Sequence, residues 1–306
     1  MSVALVTHAD CILHEMGMHH PESPERLKAV LDALDASGFG GELEEYEAPL
    51  ARAEELARVH AEGHIDLVQA SAPEDDYAWL DPDTSMNPDS LAASLRAAGS
   101  VVRATDLVLG GSVTRAFCAV RPPGHHATPV RAMGFCIFNN VAVGAAHALE
   151  RHGLERVAIL DFDVHHGNGT EDMFRGDPRV LFCSTFQHPY YPFCGADTRA
   201  GNVVNVPLPA MTGSAAFRAA VERTWLPALE RFEPQLVMVS AGFDAHREDP
   251  LAHLQLEDED YEWITCRIAE VAERHAGDRI VSTLEGGYNT RALARSVVRH
   301  VRALAG

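Results

Sequence analysis

Positive charge is scarce in this 306-residue sequence: 25 Lys and Arg stand against 44 Asp and Glu, a formal net charge of −19. A phosphate backbone wants a basic face, so nucleic-acid binding is disfavoured. An acidic surface instead steers cations toward itself, and lysine-rich peptides and polyamines are such ligands. Long apolar runs are also missing. No stretch approaches the ~18 apolar residues of a membrane span. The opening MSVALVTHADC has neither the basic nor the long apolar region of a signal peptide. Cysteine is limited to Cys11, Cys118, Cys136, Cys183, Cys194 and Cys266, with no Cys-x-x-Cys pair. The expectation is reduced core thiols in a cytoplasmic protein. Repeats, low-complexity tracts and linker-like breaks are absent, so one domain over 1–306 is expected. With 46% hydrophobic residues, disorder is excluded and a substantial core is within reach.

What is present is an alternation of short apolar runs and longer helical patterns. Strands are expected at Val3–Thr7, Arg115–Val120, Arg156–Phe162, Val180–Phe186, Val203–Val206, Gln235–Ala241 and Arg279–Leu284. Helices are expected at Pro24–Ala36 (with Ser23 as N-cap), Ala53–His60, His64–Ser71, Leu91–Leu109, Asn140–His152, Gly213–Phe232, Asp258–Ala276 and Thr290–Leu304. The acidic stretch Ala72–Pro88, with three prolines, reads as one long loop. Continuous apolar strands separated by helices indicate an α/β fold: a parallel sheet flanked by helices on both faces.

Chemistry-bearing residues gather where these strands end, which is where open parallel sheets bind ligands. Arg121-Pro-Pro-Gly-His125-His126-Ala127 is a stiff turn holding two adjacent imidazoles. The strand Val157–Leu160 runs into Asp161-Phe-Asp163-Val-His165-His166-Gly-Asn168-Gly-Thr170. If the extended geometry persists, Asp161, Asp163 and His165 share one face. Buried carboxylates are costly unless paired or bound to metal, and mixed Asp/His ligation suits Zn²⁺ and similar ions. Ser240-Ala-Gly-Phe-Asp244 and Glu285-Gly-Gly-Tyr288-Asn289 close two later strands. Alone, Asp244 could be a helix cap and Tyr288 a packed loop residue.

RPPGHHA, GFCIFNN (Gly134–Asn140), DFDVHHGNGT, SAGFD and EGGYN occur in this order, after HPESPERL (His20–Leu27). Together they resemble the metal-dependent histone deacetylase family, of the arginase–deacetylase fold, over essentially the whole chain. Asn168 and the HPESPERL segment are similar to the class II branch and its bacterial amidohydrolase relatives. The resemblance implies Asp163, His165 and Asp244 as Zn²⁺ ligands; the same ligands accept Fe²⁺. It implies His126 as general base and acid, held by Asn168, with His125 as an electrostatic helper oriented by Asp161. Tyr288 would donate its hydroxyl to the carbonyl oxygen. An inner K⁺ would be held by Asp161, Asp163, His165, Ser184 and Thr185. An outer K⁺ would use Phe174, Asp177, Val180 and Asn202. Phe135, Tyr191, Gly134, Leu251, His20 and Pro21 would bind substrate.

The function implied is zinc-dependent hydrolysis of an acyl-lysine amide in a peptide or protein, with an acetylated polyamine as the alternative substrate. Polyamine enzymes of the family place a Glu seven residues after the last zinc Asp; here that position is Leu251, which favours the peptide. A binuclear-Mn ureohydrolase would need extra carboxylates where this chain has His166-Gly167 and His246. A silent acyl-lysine binder would have lost Tyr288 or a ligand, and none is lost. Neither nucleic acid nor membrane is an expected partner, and a homo-oligomer stays open.

Overall fold

Eight strands lie side by side and parallel. A computed structural model describes residues 3–39 and 42–306; the four other positions of the expected 1–306 domain lie outside the described residues. In chain order the strands are β1 (Val3–Thr7), β2 (Leu43–Glu47), β3 (Ala78–Asp81), β4 (Thr84–Met86), β5 (Arg115–Cys118), β6 (Val157–Asp161), β7 (Val180–Gln187), β8 (Val203–Leu208), β9 (Leu236–Ala241) and β10 (Ile280–Leu284). The main sheet has the order β2-β1-β5-β10-β9-β6-β7-β8, while β3 and β4 form a separate antiparallel hairpin. Strands β5, β6, β7, β9 and β10 are buried along their whole length, the signature of a sheet covered on both faces.

Helices 90–109 and 140–151 pack together and on the central strands. Helices 24–36, 258–275 and 290–305 form a second packed group, with helix 214–232 beside it. The C-terminal helix buries Leu293, Val297, Val301 and Leu304, one face at helical spacing. The result is a single α/β domain with helices flanking the sheet.

Several expectations need correction. The stretch 72–88 is not all loop, because it contains the β3–β4 hairpin. Strand β2 and the short helices 10–13 and 168–174 were not expected. Ser23 makes no side-chain capping bond. Four cysteines are buried, but Cys194 is exposed and Cys266 half-buried, so not all are core thiols. No helix among the described residues is long and apolar enough to cross a membrane.

Candidate active site

The C-terminal ends of the neighbouring strands β6 and β9 deliver Asp163, His165 and Asp244 to one point. All three are buried, with one ligand atom from each lying within 4.8 Å of the others. His165 Nδ1 is 3.1 Å from Asp163 Oδ1 and 3.2 Å from Asp244 Oδ2. Backbone amides fix both carboxylates: Gly286 N–H donates to Asp163 Oδ2 at 2.9 Å and Val164 N–H to Asp244 Oδ1 at 2.8 Å. The approach is so close that a Cβ on Gly242 would overlap Asp163, and one on Gly286 would overlap Asp244. Burial and the neighbouring Asp163 push Asp244 up to about 7, while Asp163 and Asp244 outweigh burial and raise His165 to about 10. Two carboxylates facing each other out of water call for a cation, and this donor set fits a divalent metal.

The extended geometry does not persist past Asp161. β6 ends at Asp161, the chain turns, and the Asp161 carboxylate goes instead to His125. His125 Nδ1 lies 2.9 Å from Asp161 Oδ2. Burial opposes charge on this ring, but Asp161 and Asp163 prevail and hold His125 well above its ordinary value. His126 is pressed the other way, well below its ordinary value, by burial and then by His125 and His165. Its Nδ1 is 2.7 Å from Asn168 Oδ1. Because the Asn168 amide nitrogen donates to the His126 carbonyl at 3.4 Å, Oδ1 is the acceptor and His126 carries its proton on Nδ1. That leaves Nε2 free to take a proton.

Tyr288 follows β10, and burial holds its hydroxyl protonated far past neutrality. Its loop rests on groups that sequence reasoning missed. Arg26 lies over the Tyr288 ring, 4.9 Å from its centroid, and donates to the carbonyls of Gly287 and Glu285. Glu22 bridges Arg26 at 2.8 Å and Arg121 at 2.5 Å, all fully buried. Asp249 accepts the Tyr288 N–H at 2.7 Å. Buried Glu285 accepts from the Gly124 N–H at 2.6 Å and the His125 N–H at 3.2 Å, so it ties the β10 end to the His-His turn.

A cleft of about 410 Å³ leads down to this centre, walled by Asp83, Gly134, Phe135, Tyr190, Tyr191, Phe193, Leu251 and Tyr288, with His126 and His165 at its base. Phe135 has a left-handed φ of 67°. The hairpin turn holds it there: Gly134 N–H donates to Asp83 Oδ1 at 3.0 Å and Phe135 N–H to Thr84 Oγ1 at 3.0 Å. His20 meets the Phe135 ring edge-on at 4.6 Å, and neither it nor Pro21 is among the residues lining the cleft. Asp83 closes the acidic stretch 74–83, where the sequence offers a carboxylate to read a substrate ammonium. Tyr190 and Phe193 went unnoticed in the sequence, although the Tyr190-Tyr191-Pro192-Phe193 aromatic run was a usable signal.

Around the expected inner cation position, Ser184 pairs in register with Asp161 across β6 and β7, and Thr185 follows it, buried. The outer set does not fit a cation. Asn202 Nδ2 donates to the carbonyls of Phe174, Asp177 and Val180 at 2.7, 3.1 and 3.0 Å, and its Oδ1 accepts from Gly176 N–H at 2.9 Å. The amide therefore takes the place between three carbonyls that an ion would need. His166 and His246 are engaged outside the metal cup, with Glu171 at 2.8 Å and Asp258 at 3.1 Å.

Residues 20–304 match the histone deacetylase domain model. The chain is 42% identical over 277 residues to a histone deacetylase-like amidohydrolase of Pseudomonas aeruginosa, covering 88% of this chain and 73% of that protein. It is 37% identical to a polyamine deacetylase of Mus musculus, covering 100% of this chain and 48% of that protein. The crystal structure of the HDA15 HD domain superposes with a TM-score of 0.94 at 34% identity, covering 100% of this chain and 90% of that one.

Proposed function

The chain belongs to the histone deacetylase family, and from that premise we propose that it removes acetyl or a related acyl group from the ε-amine of lysine in a peptide or protein. Its amidohydrolase relatives support hydrolysis of an amide. The observation that carries the reading is the convergence of Asp163, His165 and Asp244 at the foot of an apolar cleft, beside a histidine whose Nε2 is free.

Asp163, His165 and Asp244 would hold one Zn²⁺, or Fe²⁺. Such an ion polarises the scissile carbonyl and acidifies a water. His126, neutral and with its proton on Nδ1, takes the water's proton at Nε2 and returns it to the departing amine. His125, charged against Asp161, keeps His126 from being protonated in the resting enzyme. The Tyr288 hydroxyl donates to the oxygen on which negative charge grows. Phe135 and Tyr191 flank the aliphatic stem of the substrate, and Leu251 leaves the rim without a charge there. Asp161, Ser184 and Thr185, with the carbonyls of Asp163 and His165, would hold a single K⁺. His166 and His246, turned to Glu171 and Asp258, support one divalent ion in the cup rather than two.

Asp83 favours a second reading. Its carboxylate lines the cleft, where it could pair with the distal ammonium of an acetylated polyamine. The test is kcat/KM for acetyl-lysine peptides and acetylpolyamines, in wild type and in Leu251→Glu. We expect wild type to prefer the peptide and the variant to shift toward polyamine by about tenfold at most, since a partly exposed ion pair contributes ~0–1 kcal/mol. A wild-type preference for polyamine of tenfold or more overturns the peptide reading. Activity unchanged by complete chelation overturns the metal reading.

A further inference from the structure

A second set of potential metal ligands lies at the opposite edge of the sheet. Helices 90–109 and 140–151 each end just before a strand begins, at Arg115 and Val157, whereas the catalytic residues follow strand ends. Asp106 is in the last turn of the first helix, His147 is near the end of the second, and His152 is its C-cap. His147 Nε2 and His152 Nε2 lie 2.8 and 2.7 Å from the same oxygen, Asp106 Oδ1. The three ligand atoms are all within 4.8 Å of one another. From this geometry we infer that Asp106, His147 and His152 form a solvent-accessible site for a first-row divalent transition metal, Zn²⁺ foremost.

Several observations support the site. Two imidazoles and a carboxylate are a donor set that suits Zn²⁺, Co²⁺, Ni²⁺ and Cu²⁺. With bonds of about 2.0–2.1 Å, tetrahedral ligands stand about 3.3 Å apart, so the trio need open by only about 0.5 Å. The ends of two helices meet here, and the partial negative charge of their last carbonyls favours a cation. Next to the cluster runs a groove lined by Glu54, Glu62, Asp66 and Glu150 against a single Arg58, which draws cations to the same edge. His152 is partly exposed and Asp106 is 43% exposed, so water can complete the coordination.

Arg58 sets a condition on binding. It approaches His147 Nδ1 at 2.7 Å as a donor, which places the ring proton on Nε2. Ligation through Nε2 moves that proton to Nδ1, so Arg58 must turn away. Glu150, 3.4 Å from its Nε, is at hand to receive it. The bound ion would clamp the two helix ends together far from the cleft, so it should stabilise the fold without changing turnover.

The experiment compares zinc-loaded wild type with His152→Gln and Asp106→Asn after equilibrium dialysis against the same free Zn²⁺. Wild type should retain one more zinc per chain than either variant, with kcat/KM equal in all three. Added Zn²⁺ should raise the melting temperature of wild type alone. Co²⁺ added to enzyme holding a single zinc per chain should give a visible d–d band in wild type that both variants lack. Equal zinc content in the folded variants and wild type overturns the inference. So does an extra ion that persists in the variants and inhibits turnover, which would place it in the cleft.

Discussion

The backbone amide of Phe135 donates to the hydroxyl of Thr84, 3.0 Å away and 51 residues earlier in the chain. Through this bond a small hairpin outside the main sheet holds one wall of the cleft in a left-handed conformation that non-glycine residues seldom adopt. Thr84→Val keeps the size but removes the acceptor, and an unpaired buried amide costs about 1–3 kcal/mol. The expected outcome is KM raised about fivefold or more with zinc content unchanged, because 1.4 kcal/mol is about tenfold. Steady-state kinetics with a metal assay decides it. Wild-type KM in the variant would show that the wall stands without the hairpin.

The metal cup and the proton-handling groups should separate on mutation. Asp244→Ala should lose both the catalytic ion and activity. Tyr288→Phe should keep the ion and lose about 10²–10³-fold in kcat, as expected for one oxyanion donor. His126→Ala should keep the ion and lose at least as much, since the proposed mechanism runs both proton transfers through its Nε2. Near-wild-type turnover in Tyr288→Phe would take that hydroxyl out of the reaction.

Asn168 offers a pH test. His126 must be neutral to act as a base, so protonating it sets the acid limb of kcat/KM. Asn168→Asp places a carboxylate where Oδ1 now lies 2.7 Å from Nδ1, favours the imidazolium and raises the pKa of His126. An opposite charge this close shifts a pKa by about one unit or more. The acid limb should therefore move to higher pH by about that amount. An unmoved limb would mean that another group sets it.

Two buried histidines make the fold sensitive to acid. Burial, and for His60 also His64, lowers His60 and His300 to about 3. Their ring nitrogens are already engaged. His60 binds the Thr128 carbonyl at 3.1 Å and the Asn139 N–H at 2.9 Å, while His300 binds Thr265 at 2.6 Å and Ser282 at 2.8 Å. The unfolded chain takes up protons near pH 6.5 and the folded one does not, so their contribution is complete above that pH and lost as pH falls toward 3. Each ring adds a slope of about 1.4 kcal/mol per pH unit within this window. Urea unfolding at pH 7 and pH 5 should show stability falling. His300→Gln, if it folds, should flatten the slope by about one ring's worth. A slope unchanged in that variant would remove His300 from the account.

The sequence made the sheet legible wherever strands are central. Val157–Asp161 and Leu236–Ala241 are buried on both faces, and their apolar runs signal that directly. The edge strand Leu43–Glu47 reads LEEYE because it is largely exposed, so its charge hid it. At the site, ligands carried by contiguous motifs were readable, but partners distant in sequence were not. Arg26 reaches the Gly287 carbonyl across 261 residues, and Arg121 reaches Glu22 across 99. No local pattern marks either pair. The shared-face reading of Asp161 required the strand to run on to His165, and the strand ends at Asp161. The outer cation reading failed because position 202 carries an amide long enough to fill the place itself.

The glycines that wall the metal cup bear on what this scaffold can become. Any side chain at 242 or 286 would enter the space held by the carboxylates of Asp163 and Asp244. A screen for loss of activity should therefore return these two positions alongside the ligands, although neither contributes a side chain. For laboratory evolution, the centre cannot be retuned by adding a new side chain at either glycine. New selectivity has to come from the rim, where Leu251, Phe193 and the hairpin turn can vary without disturbing the cup.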